Sequence, residues 1–283
     1  MTTILHLHIP RAMGSSIHAH IAAAVGREHW ISGNTHESIR AQAEETTDVK
    51  FVTGHFFWGA HEYFDDSIYF VVLRNPIDRV GSLYDYIRNN PAHQHNALYQ
   101  QKSLWEILHL PDAKRMQISN GQVRQLIGAS SAGKKVYIWH FIKALRNITR
   151  PNVVVTFLDQ IQAGLTELAD KAGLDIPTDL AVTNTISRNP IAKEDARRIF
   201  QLNRWDTMLF YLARLLSGVP MKASAVVPGS SIMAATLLSR STQIDGRINN
   251  TAPAEKPAII ETEQPKATPL QNGTATPVRT GDL

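Results

Sequence analysis

The 283-residue chain is 43% hydrophobic and 19% charged, enough apolar content for one substantial α/β domain with an appendage, which excludes a chain disordered throughout. Twenty-nine Lys and Arg stand against 25 Asp and Glu, a net charge of +4, and there is no cysteine. Disulfides, thiolate metal sites and a thiol nucleophile are thereby excluded, and a mild basic excess not gathered into one run suits an anionic ligand better than nucleic acid. The opening "MTTILHLHIPRAMG" has no basic leader before an apolar stretch, and no run of about 18 uncharged apolar residues occurs, so a cytoplasmic protein without a transmembrane segment is expected.

Short apolar runs alternate with longer helical patterns, the signature of βα units around a parallel sheet. Strands are expected at about 3–9 ("TILHLHI"), 50–54 ("KFVTG"), 68–74 ("IYFVVLR") and 152–157 ("NVVVTF"). Ser15 or Ser16 suits the N-cap of a first helix, "SIHAHIAAAVG", which Gly26 would end. Asn75 and Pro76 read as N-cap and first residue of "PIDRVGSLYDYIRNN". The segment "LDQIQAGLTELADKAG" and one long amphipathic helix, "AKEDARRIFQLNRWDTMLFYLARLLSG", are expected to pack on the sheet, the latter through Ile199, Leu202, Leu209, Leu212 and Leu216. Residues 1–219 are thus expected to form the α/β domain. From 220 to 283 the chain is rich in Pro, Ser, Thr and Ala, a tail expected to be largely disordered, with "SSIMAATLLSRST" as a short helical candidate.

The stretch "HIPRAMGSS" at 8–16 places a turn and a helix start after the first strand, where exposed amides bind anions, but it lacks the G-x-x-x-x-G-K-[ST] pattern of nucleoside triphosphatases. In "LRNPIDRVGS" at 73–82, Arg74 ends a strand and Ser82 lies about two helical turns on, so both can meet one phosphate. Together these two segments resemble the sulfotransferase superfamily, closest to its carbohydrate and heparan-sulfate O-sulfotransferase branch. There the first loop reads approximately H-I-P-K-T-G-G-T-S and the second L-R-[DN]-P-x-x-R-x-x-S. "VTGHFFWG" at 52–59, "NGQVRQLIG" at 120–128 and "NTISRNP" at 184–190 extend the likeness over about residues 3–217.

The resemblance implies a P-loop-like three-layer α/β fold with a central parallel sheet flanked by helices. It also implies 3′-phosphoadenosine-5′-phosphosulfate (PAPS) as donor, with no metal. Arg11, Gly14, Ser15 and Ser16 would then hold the 5′-phosphosulfate, Arg74 and Ser82 the 3′-phosphate, and Arg188 would close over the nucleotide. His55, after Gly54 at a strand end, would be the base that takes the acceptor's proton, with Arg11 neutralising charge on the leaving group. The acceptor implied is a hydroxyl of a glycan or glycolipid. The family lysine is Arg11 here, and its next threonine and glycine are Ala12 and Met13.

Other residues leave choices open. Gln122 and Arg124 are either nucleotide contacts or ordinary helix positions. His6 with His8 and His18 with His20 lack the acidic companions of a zinc site. "NNPAHQHNALYQQK" at 89–102 is either an acceptor entrance or a surface loop. Two functions compete with sulfuryl transfer: a catalytically impaired nucleotide-binding protein of the same fold, and a P-loop kinase of small molecules, against which the missing Gly-Lys-Ser/Thr and magnesium-binding pair argue.

Overall fold

A computed structural model describes residues 2–131, 133–180 and 190–220. The chain divides into Met1–Ser231 and Ile232–Leu283. Arg188 and residues 221–283, with the expected tail and its short helix, lie outside the described residues.

In chain order, β1 (Thr3–Leu7) leads to α1 (Gly14–Val25), β2 (Trp30–Ser32), α2 (His36–Glu45), β3 (Phe51–Gly54) and β4 (Ser67–Leu73). Then come α3 (Pro76–Arg88), α4 (Asn96–Gln101), α5 (Leu104–Leu108), α6 (Gly121–Ile127) and α7 (Ile138–Ile148). The remainder is β5 (Val153–Phe157), α8 (Ile161–Ala172), α9 (Lys193–Leu202) and α10 (Arg204–Leu216).

The strands form one five-stranded sheet in the order β2-β3-β1-β4-β5. Every pair is parallel, with Ile4 opposite Phe51, His6 opposite Phe70 and Tyr69 opposite Val153. Every residue of β1 and β4 is buried, as expected of strands covered on both faces, which read as continuous apolar runs rather than alternating ones. Thr3 and His6 are the polar residues of β1; the Thr3 hydroxyl donates to the Val49 carbonyl at 2.8 Å and His6 Nδ1 lies 3.0 Å from Thr53 Oγ1, so both have partners. The four expected strands are present, and β2 is an addition. Its three residues at the sheet edge are too short to show any periodicity.

Asn75 caps α3 as expected, its Oδ1 accepting from the Ile77 amide at 2.9 Å with Pro76 in the first turn. Gly173, at φ 63°, ends α8 in the left-handed conformation. The serine cap expected for α1 is not what forms. Met13 occupies the N-cap at φ 68° with no side-chain cap, and Ser15 and Ser16 sit inside the first turn. The single long C-terminal helix is also corrected: Asn203, fully buried at φ −117° and ψ 29°, separates α9 from α10. Only part of that segment reaches the sheet side. Leu209 and Phe210 of α10 join the main core, whereas Ile199 and Leu202 of α9 join a second cluster with Val80, Leu83 and Ile107 from α3 and α5. Leu216 is 60% exposed.

In the sheet, β1 lies between β3 and β4, so the chain reverses its direction of travel there. Open parallel sheets bind ligands at such a reversal, beyond the C-terminal ends of the strands. Three loops leave the sheet at that point: 8–13 after β1, 55–59 after β3 and 74–75 after β4.

Candidate active site

The loop after β1 turns through two non-glycine residues with positive φ, Arg11 and Met13, both at 68°. A side chain there costs about 1 kcal/mol or more against glycine. Met13 therefore holds a left-handed backbone shape that glycine adopts more readily. Gly14 is required for a different reason: a Cβ on it would stand 1.7 Å from His8 Cδ2, so the start of α1 packs directly on the His8 ring. The turn at Met13 redirects the chain without consuming a serine hydroxyl as a cap. The first-turn amides of α1, which have no intrahelical acceptor, and the hydroxyls of Ser15 and Ser16 thus belong to one helix N-terminus, a favourable place for an anion.

The loop after β4 meets this one through its arginine. Arg74 Nη1 donates to the Arg11 carbonyl at 2.7 Å, and Arg11 Nε donates to Ser82 Oγ at 3.0 Å. Ser82 is buried on α3, and the Arg11 guanidinium lies 4.7 Å from the ring centre of Tyr86, one turn further along that helix. Expectation had Arg11 on the 5′ side and Arg74 with Ser82 on the 3′ side. The geometry brings all three together and turns the Arg11 side chain toward Ser82. Gln122 fixes the backbone of Arg74 from both directions, its Oε1 accepting from the Arg74 amide at 3.0 Å and its Nε2 donating to the Arg74 carbonyl at 2.9 Å. Gln122 is fully buried, so it holds the loop rather than facing solvent.

Arg124 is likewise buried. It donates to the carbonyls of Ser119, Ser131 and Lys114 at 2.8–2.9 Å, which makes it a backbone staple and not a surface residue.

His55 follows Gly54, whose φ of 147° and close approach to Gly33 exclude any side chain; a Cβ would lie 1.9 Å from the Gly33 carbonyl oxygen. The backbone N–H of His55 donates to Asn34 Oδ1 at 2.9 Å. Its ring Nδ1 lies 2.9 Å from the His8 carbonyl oxygen. A carbonyl only accepts, so Nδ1 carries a proton, and in the neutral tautomer this fixes, the lone pair lies at Nε2. His55 is exposed, which leaves it accessible to a second substrate.

The His8 carbonyl also accepts from Gln125 Nε2 at 2.9 Å, and the same Nε2 donates to the Phe56 carbonyl at 3.0 Å. Gln125 thereby ties the loop after β1 to the loop after β3. Sequence reading singled out Gln122 and Arg124 and passed over Gln125, although all three lie in the same "NGQVRQLIG" segment.

The rings of His6, His8 and His55 follow one another, with centroids 5.5 Å apart for the first pair and 4.3 Å for the second. Burial first, then the neighbouring His55, His18 and Arg11, push the His8 ring down to about 3, so it stays neutral. Burial holds His6 well below the usual histidine range too. His18 packs edge-on against Trp30 at 4.6 Å, and His20 Nε2 bonds the Pro177 carbonyl. Among the described residues no group of three or more His, Asp or Glu is placed to hold a metal ion.

A model of the sulfotransferase family matches residues 2–214. The chain belongs to the sulfotransferase family. Among solved structures it is similar to mouse sulfotransferase SULT7A1 complexed with PAP, at 12% sequence identity and a TM-score of 0.39. That match covers 71% of this chain and 62% of the mouse chain. No curated protein sequence matches it.

Proposed function

We propose that this sulfotransferase moves a sulfuryl group from PAPS to a hydroxyl of a glycan, glycolipid or related acceptor. The observation that carries the reading is the joining of the two anion-binding segments, Arg11 Nε to Ser82 Oγ and Arg74 Nη1 to the Arg11 carbonyl, at the C-terminal edge of β1 and β4. The donor set fits the nucleotide. Two guanidinium groups, serine hydroxyls and a helix N-terminus suit a multiply charged phosphate and sulfate ligand. Bound there, PAPS supplies an activated sulfuryl group on a phosphate leaving group.

The protein's own residues bind, orient and move one proton. The first turn of α1, from Gly14 to Ser16, takes the 5′ end. Arg74 and Ser82 take the 3′-phosphate, and Arg11, poised between the two segments, adds positive charge to both. His55 Nε2, held in the right tautomer by the His8 carbonyl, accepts the acceptor hydroxyl's proton. The 89–102 stretch adjoins the site through Tyr86, whose ring faces Arg11 on one side and His93, with centroids 6.0 Å apart, on the other; this supports reading it as the acceptor entrance. We place the activity in residues 1–219, in the cytoplasm.

Calorimetry with 3′-phosphoadenosine-5′-phosphate (PAP) and with 5′-AMP tests the nucleotide assignment. Arg74→Ala is expected to weaken PAP by about 1.5–3 kcal/mol, the range of a hydrogen bond to a charged group, and AMP far less. Equal losses for both nucleotides would remove the 3′-phosphate role of Arg74.

A further inference from the structure

The outward face of α7 and the turn before it carry a surface that the chemistry above does not use. Of the eight bulky apolar side chains exposed among the described residues, four fall here: Tyr137, Ile138, Trp139 and Ile142. Trp139 is 59% exposed and Ile142 47%. Core packing does not require them, because α7 is anchored by its opposite side through Phe141, Ala144 and Ile148. Neither are they scattered: Ile138 and Ile142 lie one turn apart, and the Tyr137 and Trp139 rings stack at 4.6 Å with planes 14° apart.

Lysines border this patch. Lys134 and Lys135 precede it, with Lys135 Nζ 5.4 Å from the Tyr137 ring centre, and Lys143 is exposed one residue after Ile142. Lys114 joins Lys134 and Lys135 in lining a cleft of about 710 Å³ walled by Tyr137 and Trp139, with Asp112 as the one acid in its lining. The cleft is held in shape by Arg124, which bonds the carbonyls of Lys114 and Ser131 from beneath.

Three kinds of partner could meet aromatic rings and lysines: a second copy of this chain, an acidic saccharide or an anionic bilayer. A second copy would bring lysines against lysines across a twofold axis, which is repulsive. A saccharide would stack on Trp139 and pair with the lysines, but it would leave Ile138 and Ile142 in water. A bilayer uses all of them. Isoleucines enter the acyl boundary, Trp and Tyr settle at the headgroup level, and lysines meet the lipid phosphates and carboxylates. Among the described residues no helix is long and apolar enough to cross a membrane, so such an attachment would be peripheral.

We propose that the α7 face, through Ile138, Trp139, Ile142 and the lysines around them, docks this protein on an anionic phospholipid bilayer. The test is co-sedimentation of the full chain with vesicles of phosphatidylcholine alone and of phosphatidylcholine with about 30% phosphatidylserine. The chain is expected to bind the serine-containing vesicles and to lose binding at least about tenfold in Trp139→Ser/Ile142→Ser and in Lys134→Glu/Lys135→Glu. All four positions are exposed, and an unchanged thermal melt and PAP affinity would show that the variants are folded. The proposal is overturned if neither vesicle is bound, or if the variants bind as well as the parent chain. It is equally overturned if the patch instead drives concentration-dependent dimers, or captures a heparin-like oligosaccharide while ignoring vesicles.

Discussion

His8 serves the site through its backbone more than through its ring. Its carbonyl oxygen accepts from both His55 Nδ1 and Gln125 Nε2 at 2.9 Å, so the orientation of the proposed base depends on a glutamine that does not itself touch the reacting groups. Gln125→Ala is expected to leave the carbonyls of His8 and Phe56 short of a donor and to loosen the His55 ring. Turnover should fall about tenfold while PAP affinity stays within about twofold, with a stability loss of about 1–3 kcal/mol. Steady-state kinetics beside calorimetry would check this; equal loss of turnover and PAP affinity would show that Gln125 supports the nucleotide instead. The meeting of Arg74 and Ser82 with the loop of Arg11, and the place of His55 after a strand, were legible in the sequence because each sits in a short motif whose turn and helix start are local. Gln125 was not. Its side chain acts on carbonyls 117 and 69 residues away, and no local pattern encodes such a bond.

Long-range bonds also decide where two of the helices begin and end. Asp206, fully buried on α10, accepts from the backbone amides of Gln122 at 3.0 Å and Val123 at 2.8 Å, so it caps α6 from another element. Arg79 of α3 lies 3.8 Å from the same carboxylate. Burial pushes the Asp206 pKa upward, against the pull of Arg79 and the two amides. Asn203 adds bonds from its Nδ2 to the Ile118 carbonyl at 2.7 Å and to its Oδ1 from the Asn120 amide at 2.8 Å. These contacts explain why an unbroken amphipathic pattern becomes two helices: the periodicity records which side is apolar and is silent about a buried amide that needs bonds of its own. Asp206→Ala is expected to cost about 3–5 kcal/mol in urea denaturation, since it strands Arg79 and two helix amides inside the protein. A loss below about 1 kcal/mol would mean that α6 is held by packing alone. By contrast, four of the strands and the helix ends at Asn75 and Gly26 followed from short sequence signals, because fully buried parallel strands are continuous apolar runs and cap residues are local.

Across the whole molecule, the histidines on and beside β1 link folding to pH. Unfolded, each takes a proton near its ordinary value of 6.5, whereas His8 in the folded chain waits until about 3 and His6 is also held down by burial. Between those values the unfolded state binds more protons. Stability is therefore fully present above about pH 6.5 and falls as the pH drops toward 3, by up to about 1.4 kcal/mol per pH unit for each histidine kept neutral. Urea denaturation at about pH 7.5 and pH 5.5 should show this loss, and His8→Gln should narrow the gap between the two. An unchanged gap would show that the His8 ring does not titrate with unfolding. The overall architecture, a parallel sheet flanked by helices, was legible because apolar runs alternating with helical patterns mark βα units; the spatial strand order β2-β3-β1-β4-β5 departs from chain order and was not. The α7 surface was not, because Lys114 joins Lys134 and Lys135 only through the fold.

The account rests on His55 acting as the base at a PAPS site, and the rate of sulfuryl transfer by His55→Ala tests it most directly. With radiolabelled PAPS at saturation and a panel of hydroxyl-bearing glycans and glycolipids as acceptors, the variant is expected to transfer about 10²–10⁴-fold more slowly than the parent chain. PAP affinity should stay unchanged, because a base acts on the acceptor's proton and not on the nucleotide. Transfer that continues undiminished in His55→Ala would contradict the mechanism.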